Sequence, residues 1–305
     1  PLYSSAASDV YKRQVLSLVC LCCCFQNIMY AQEETGRRAY TLFDNTGKEI
    51  TYGELIRHLS GYDIVFLGEI HNCPITHWLE FEITRSLYHL HKNKLMLGAE
   101  MLESDNQLIL DEYMQRKISY DRFEAEARLW DNYSTDYYPV VFFAKEHGIP
   151  FIATNIPRRY ANSVKNGGLE VLDSLSAEAK KYIAPLPVPF EYNEKESEAA
   201  FSLMNMMGGK KTGDNEKLAQ AQAVKDATMG WFIARNMKDK FLHINGSYHS
   251  DFKSGIIPYL LRYRPGTRVV TVTSVRQESI SKLDDENKER ADFYICVPED
   301  MVTSY

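Results

Sequence analysis

The chain has 305 residues, 45% of them apolar and 25% charged, with a formal net charge of −6. That is enough apolar material for one sizeable core of the kind that α/β domains of roughly 200 to 250 residues build. The negative balance, with no basic stripe and no arginine run interleaved with aromatics, excludes nucleic acid as the expected partner and leaves small molecules, metals or another protein.

Residues 1–14 begin without Met and read as a translated adaptor or assembly artefact, outside any fold. Val15 to Phe25 is an apolar run with Lys12 and Arg13 upstream and Met29-Tyr30-Ala31 downstream, the pattern of a secretory signal cut after Ala31. The run is too short for an ordinary membrane span. Cys20, Cys22, Cys23 and Cys24 lie inside it, and Leu21 three residues before Cys24 fits a poor lipoprotein signal, so a lipid anchor is the one membrane tie expected. Residues 1–31 are therefore set apart from a single α/β domain at 32–305, exported to the periplasm or the outer membrane. That domain keeps only Cys73 and Cys296, which is not a disulfide framework.

Within the domain, Ala39 to Tyr62 is a small lead-in with a turn at Asp44-Asn45-Thr46-Gly47-Lys48 between two extended pieces. Asp63 to Leu67 is a continuous apolar run, as expected of a strand covered on both faces, and it closes on Gly68-Glu69-Ile70-His71. Ile75 to Leu90 follows Pro74, a good first-turn residue, and has Ile75, Trp78, Leu79, Ile83, Leu87 and Leu90 at a helical period. Leu95 to Glu100 is a second strand. Helices are expected at Asp105 to Met114, Tyr120 to Trp130 and Val140 to Glu146, before a strand at Pro150 to Asn155. Arg158 to Lys217, long, polar and broken by Gly, Pro and Met, reads as a helical insertion with mobile loops over the sheet edge. An amphipathic helix at Glu216 to Lys238 leads to the strand Phe241 to Asn245, which closes on Gly246-Ser247-Tyr248-His249. Thr267 to Val275 and Asp292 to Val297 supply late strands, and the charge run Gln277 to Arg290 between them reads as a solvated helix or loop.

These elements make an α/β fold, a largely parallel central sheet with helices on both faces and the helical insertion over the sheet's carboxyl edge. Parallel strands joined by right-handed crossovers deliver their carboxyl ends to one edge, where ligands bind. Glu69, His71, Glu100, Asn155 and His249 are therefore expected to line one cavity. His71 and His249 with Glu69 or Glu100 offer nitrogen and oxygen donors suited to a borderline divalent ion such as zinc. In that reading Glu69 or Glu100 ligates, or acts as general base toward a metal-bound water whose pKa falls toward about 7, as in a peptidase-like hydrolase. The same histidines at strand ends also serve as hydrogen-bonded fixtures that hold loops. His77, Asn155, Gln222 and Asp226 are read as outer partners of the ligands. Gln222, Asp226, Met229 and Ile233 share one helical stripe, from which Asp226 can orient a liganding imidazole.

The order of motifs adds to this. Val-Phe-Leu-Gly-Glu-x-His with Pro74 and His77 behind it, Leu-Gly-Ala-Glu-Met at 97–101, Trp130-Asp131 with Tyr138-Pro139, and Asn155-x-Pro157-Arg158 occur in sequence. Gln222-x-x-x-Asp226-Ala227-Thr228-Met229 and Gly246-x-x-His249 with Gly255-Ile-x-Pro258 follow. Together, from about Asp63 onward, they resemble the ChaN-like haem-binding family of the TIKI superfamily. The resemblance implies an α/β fold, a cell-envelope location and haem binding connected with haem or iron uptake. Haem asks for an axial donor, an apolar slot and cations for its propionates. With the resemblance in hand, Tyr138 and its neighbour Tyr137 are candidate axial donors, Arg158 a propionate contact, and Met206 and Met207 part of a haem-facing loop. A homodimer around the ligand is a further expectation. The chain departs from the family where Met204-Asn205-Met206-Met207-Gly208-Gly209 stands in place of a His- and Gly-rich stretch, which leaves open what that loop ligates.

Overall fold

Apolar runs with no polar alternation become the middle of the sheet. β2 (Ile64–Glu69) and β5 (Lys240–Gly246) are buried at every residue. They pair in parallel, with Gly68 opposite Asn245 and Glu69 opposite Gly246. The structure, a computed structural model, describes residues 38–193 and 214–305. Among those residues β1 (Thr41–Asp44), β3 (Leu95–Glu103), β4 (Phe151–Asn155), β6 (Val269–Gln277) and β7 (Phe293–Pro298) complete a sheet in the order β1-β7-β6-β2-β5-β3-β4. Every neighbouring pair is parallel except β1 with β7. From β2 the chain runs out to β3 and β4 on one side, returns through β5, and then crosses to β6 and β7. The direction of winding therefore switches beside β2 and β5, where open sheets of this kind form their ligand crevice.

The helices are α1 (Tyr52–Ser60), α2 (Pro74–His91), α3 (Gln107–Met114), α4 (Tyr120–Glu126), α5 (Tyr138–His147), α6 (Arg158–Gly167), α7 (Asn215–Asn236) and α8 (Ile256–Tyr263). α1 lies inside what the sequence offered only as a lead-in. Its start is written in Thr51 and Glu54, a capping box in which each side chain satisfies the other's backbone N–H. The second extended piece of that lead-in shrinks to a single bridge between Phe43 and Glu49.

Side chains alternate across each strand and sort the core into two layers. Val65 and Leu67 of β2 share a cluster with Leu79, Ile83 and Leu87 of α2. Ile64 and Phe66 belong to the opposite layer, with Met229 and Ile233 of α7 and Ile256 and Leu260 of α8. In β3, Leu97 and Ala99 go to the α2 layer and Met96 to the α7 layer. Each such buried aliphatic side chain contributes about 1.5–3 kcal/mol. The same alternation sends Glu69 to the α2 face and Glu100 to the α7 face.

Three expectations need correction in detail. Trp78 and Leu90, read as part of the buried stripe of α2, are 48% and 58% exposed. The buried stripe holds His77, Glu80 and Thr84 in their place, because this face meets Glu69 as well as the apolar core. The described part of the insertion is a packed layer rather than loose loops, with Ala161, Val164, Leu172, Ile183 and Val188 clustered against Ala221, Val224 and Ala227 of α7. The charge run Gln277 to Arg290 is not wholly solvated, since Leu283 and Asn287 are buried. Met206 and Met207 lie outside the described residues. Cys73 and Cys296 are free and buried. No helix among the described residues is long and apolar enough to cross a membrane.

Candidate functional site

Because β2 and β5 are neighbours, their two Gly-x-x-His turns stand side by side at the sheet's carboxyl edge. Both glycines are required by close approach. A Cβ on Gly68 would come within 3.0 Å of Ser247 Cα, and one on Gly246 would lie 2.7 Å from His71 Nε2.

On the α7 face, Gly246 N–H donates to Glu100 Oε2 at 2.8 Å. Glu100 Oε1 lies 3.2 Å from His249 Nε2, and His249 Nδ1 lies 2.6 Å from Asp226 Oδ1. All three side chains are buried. Burial opposes the charged imidazole of His249, but Glu100 and Asp226 outweigh it and push its pKa up to about 10. One imidazolium serves two carboxylates. Burial works against the Glu100 carboxylate too, yet His249 and His71 hold Glu100 well below the usual range. Asp226 is held up, first by burial, with Glu100 adding to it against the pull of His249. With both ring nitrogens engaged, His249 is a fixture of this triad rather than an open donor.

His71 has different surroundings. Its Nδ1 lies 2.5 Å from Glu69 Oε1, and its side chain is 23% exposed. Burial opposes its protonation, but Glu69, and then Glu100, raise its pKa. Glu69 itself is wholly buried beneath the ring, and Tyr137 donates its hydroxyl to Glu69 Oε1 at 2.7 Å. Behind it, His77 Nδ1 approaches Glu80 Oε2 at 3.2 Å and Glu69 Oε2 at 3.5 Å. His77 Nε2 is 3.1 Å from the His71 carbonyl and 3.4 Å from Asp136 Oδ2. Burial lowers the His77 imidazole, and Glu80, Glu69 and Asp136 more than reverse this, to about 10. Glu80 is raised well above the usual range, by burial and then by Glu69.

Between the turns and α6 opens a cavity of about 1020 Å³, at the top of the roughly 300–1,000 Å³ range of small-molecule sites. Of the residues expected to meet there, His71, Glu100, Asn155 and His249 line it, and Glu69 does not, standing one layer deeper. Arg158 and Gln222 also line it. Asp226 stands against His249 Nδ1, and His77 against the backbone carbonyl of His71 rather than its ring. Tyr137 is buried on Glu69, while Tyr138 stands in an aromatic group with Tyr120, Tyr133 and Phe142, away from the cavity lining.

The walls are apolar at Ile70, Trp130, Ile156, Ala161 and Val275, and Tyr248 and Tyr305 bring phenols. Cations stand on both sides, Arg158 and Lys225 near α7 and Arg276 and Arg290 near β6. Arg290 is spent on a part-buried pair with Asp251 at 2.6 Å. Arg276 Nε and Asn155 Oδ1 have no hydrogen-bond partner. The sequence reading missed Lys225, Arg276, Arg290 and Glu80. Lys225 is one helical step (i, i+3) from Gln222, Glu80 is the same step from His77, and Arg276 continues β6 one residue past the expected strand end. Arg290 carried no local signal, since its carboxylate partner is 39 residues away.

Compared with known proteins, residues 55–260 match the family model for haem-binding uptake in the Tiki superfamily, ChaN. The solved ChaN of Campylobacter jejuni, described by its cofacial heme binding, is similar at 20% identity with a TM-score of 0.65, over 84% of this chain and 96% of that one. A Bacillus cereus protein follows at 11% identity and a TM-score of 0.45, over 85% and 95%. A search of curated proteins finds no match. The likeness to the Campylobacter protein shows the seven-stranded fold.

Proposed function

The chain belongs to the ChaN haem-binding uptake family of the Tiki superfamily, and from that premise we propose that it binds haem in the cavity between the two Gly-x-x-His turns and α6. The observation that carries the reading is the match of this cavity's chemistry to the group. Haem needs a flat apolar slot, cations for two propionates and a donor for iron. Ile70, Trp130, Ile156, Ala161 and Val275 give the first, and Arg158, Lys225 and Arg276 the second. For the third, His71 is the imidazole with one nitrogen held by a carboxylate and the other turned toward the cavity side of Gly246. Tyr248 also lines the cavity, but burial raises its phenol, so a phenolate there forms less readily. When bound, haem supplies an iron that the protein holds for delivery. The residues of the chain orient it, exclude water and neutralise its carboxylates.

The test is titration of the purified chain with hemin. A saturable Soret shift of fixed stoichiometry is expected, kept in Tyr138→Phe and weakened or spectrally shifted in His71→Ala. No saturable shift at micromolar hemin would remove the proposal. Two further proposals belong with it. The first is an exported protein, periplasmic or tied to the outer membrane by a lipid, supported by the apolar run at 15–25 and read out by fractionation of cells. The second is a homodimer closed on the ligand, supported by the cofacial arrangement described for the Campylobacter relative and read out by chain mass in solution with and without hemin.

A further inference from the structure

Behind the cavity, on the α2 face, lies a group of donors of which only Glu69, through its Oε1 on His71, bears on the haem cavity. Glu69, His77 and Glu80 each bring one ligand atom within 4.8 Å of the others, and all three side chains are buried. His77 Nε2 lies 3.1 Å from the His71 carbonyl, which can only accept, so Nε2 carries a hydrogen. Nδ1 then faces two acidic side chains, with Glu80 Oε2 at 3.2 Å and Glu69 Oε2 at 3.5 Å. Glu69 Oε2 and Glu80 Oε1 have no hydrogen-bond partner. Acceptors turned on one another in a dry space are costly unless something positive stands among them. A proton on Nδ1 and another on Glu80, whose carboxyl is held well above the usual range, answer these contacts one at a time. A cation answers all of them, and ligands held at about 2.0–2.1 Å by a tetrahedral ion stand ~3.3 Å from one another, close to both separations seen here.

We propose that Glu69, His77 and Glu80 form a closed site for a first-row divalent cation, zinc or manganese, separate from the haem cavity. The donor set of one imidazole and two carboxylates suits those ions. Glu80 can offer both oxygens, and the ion displaces the acidic protons of the group to the buffer. Glu69 is shared between the two sites. Its Oε1 holds His71 Nδ1 while Oε2 takes the ion, so the ion fixes the carboxylate that orients the cavity imidazole. Because every donor is buried, the ion enters as the chain folds and stays while it remains folded.

The experiment uses the haem-free full chain, made with zinc in the medium or refolded with zinc or manganese, and dialysed against chelator before elemental analysis. A single ion per chain is expected to survive dialysis and to reach a chromogenic chelator only on unfolding. Glu80→Gln should lower the retained metal by at least about tenfold, while a change at the exposed His147, His147→Ala, should keep it. X-ray absorption at the zinc edge should show one imidazole among oxygen donors, a readout that stands even where a variant fails to fold. A chain without metal under all these conditions overturns the proposal, as does an ion with two imidazoles or one kept in full in Glu80→Gln. None of these outcomes bears on the hemin titration, so the two readings fail separately.

Discussion

The two faces of one sheet edge treat the same motif in opposite ways. On the α7 face, His249 is clamped at both nitrogens, by Glu100 at 3.2 Å and Asp226 at 2.6 Å. On the α2 face, His71 has a carboxylate at one nitrogen only and keeps part of its ring exposed. An imidazole with both nitrogens spent holds structure together, whereas one with a nitrogen left can meet a ligand. The difference comes from strand alternation, which sends Glu100 toward α7 and Glu69 toward α2, so that each histidine meets a different carboxylate.

The largest way to break this comparison is Asp226→Asn. Removing one partner of a buried ion group costs about 3–5 kcal/mol, and the lower end is expected because Glu100 still faces the ring. Urea unfolding should show that loss, while hemin affinity, whose iron donor His71 stands on the other face, moves little. The variant also has a pH signature. The folded His249 value is raised from its ordinary 6.5 to about 10, so its stabilisation is whole below about pH 6.5 and is lost as pH rises toward 10. His243, buried in the same strand but against Thr154 and Asn245, is lowered by that burial to about 4. Its stabilisation is present above about pH 6.5 and is lost as pH falls toward 4. Asp226→Asn should therefore flatten the alkaline limb of stability against pH. An alkaline limb equal to that of the parent would mean that the triad does not carry it.

Much of this arrangement was legible beforehand. The long apolar runs of β2 and β5 fixed those strands, and the turns after them, with Glu100 of β3 and Asn155 of β4, brought His71, Glu100, Asn155 and His249 to one cavity. What the residues alone withheld was strand order. Without knowing that β5 inserts between β2 and β3, nothing sorts Glu69 from Glu100, and both look like ligands of the same ion. Glu80 was lost for a related reason. A carboxylate on an otherwise apolar helix stripe reads as solvent-facing until a buried partner is known to stand opposite. Arg290 depends on a loop that returns to Asp251 from beyond β6, a contact no local pattern announces. Tyr138 was proposed through resemblance and not through geometry, and its neighbours are the aromatic rings of Tyr120, Tyr133 and Phe142.

A middle-sized effect sharpens the comparison from the glycine side. Gly246→Ala places a methyl 2.7 Å from His71 Nε2 and 3.5 Å from Glu100 Oε2. Overpacking of this kind costs about 1–3 kcal/mol, and the cheaper movement is that of the half-free His71 rather than the clamped triad. Hemin affinity should then fall more than it does in Asp226→Asn, although less stability is lost. Should the ordering reverse, with the triad variant binding hemin worse than Gly246→Ala, the division of labour between the faces would not hold.

The smallest expected effect comes from Tyr137→Phe, and it tests how firmly His71 is aimed. The Tyr137 hydroxyl donates to Glu69 Oε1, the oxygen that also faces His71 Nδ1. A hydrogen bond to a charged group contributes about 1.5–3 kcal/mol, and the low end applies because the ring stays to fill its space and His71 still satisfies that oxygen. With one donor gone, Glu69 leans its charge more fully on His71, so the imidazole is held more tightly in its protonated form. The His71 titration, followed by NMR of the ring protons in the haem-free chain, should therefore move upward in pH relative to the parent. A downward shift would mean that Tyr137 supports His71 through packing alone, and that Glu69 is aimed by His77 from below.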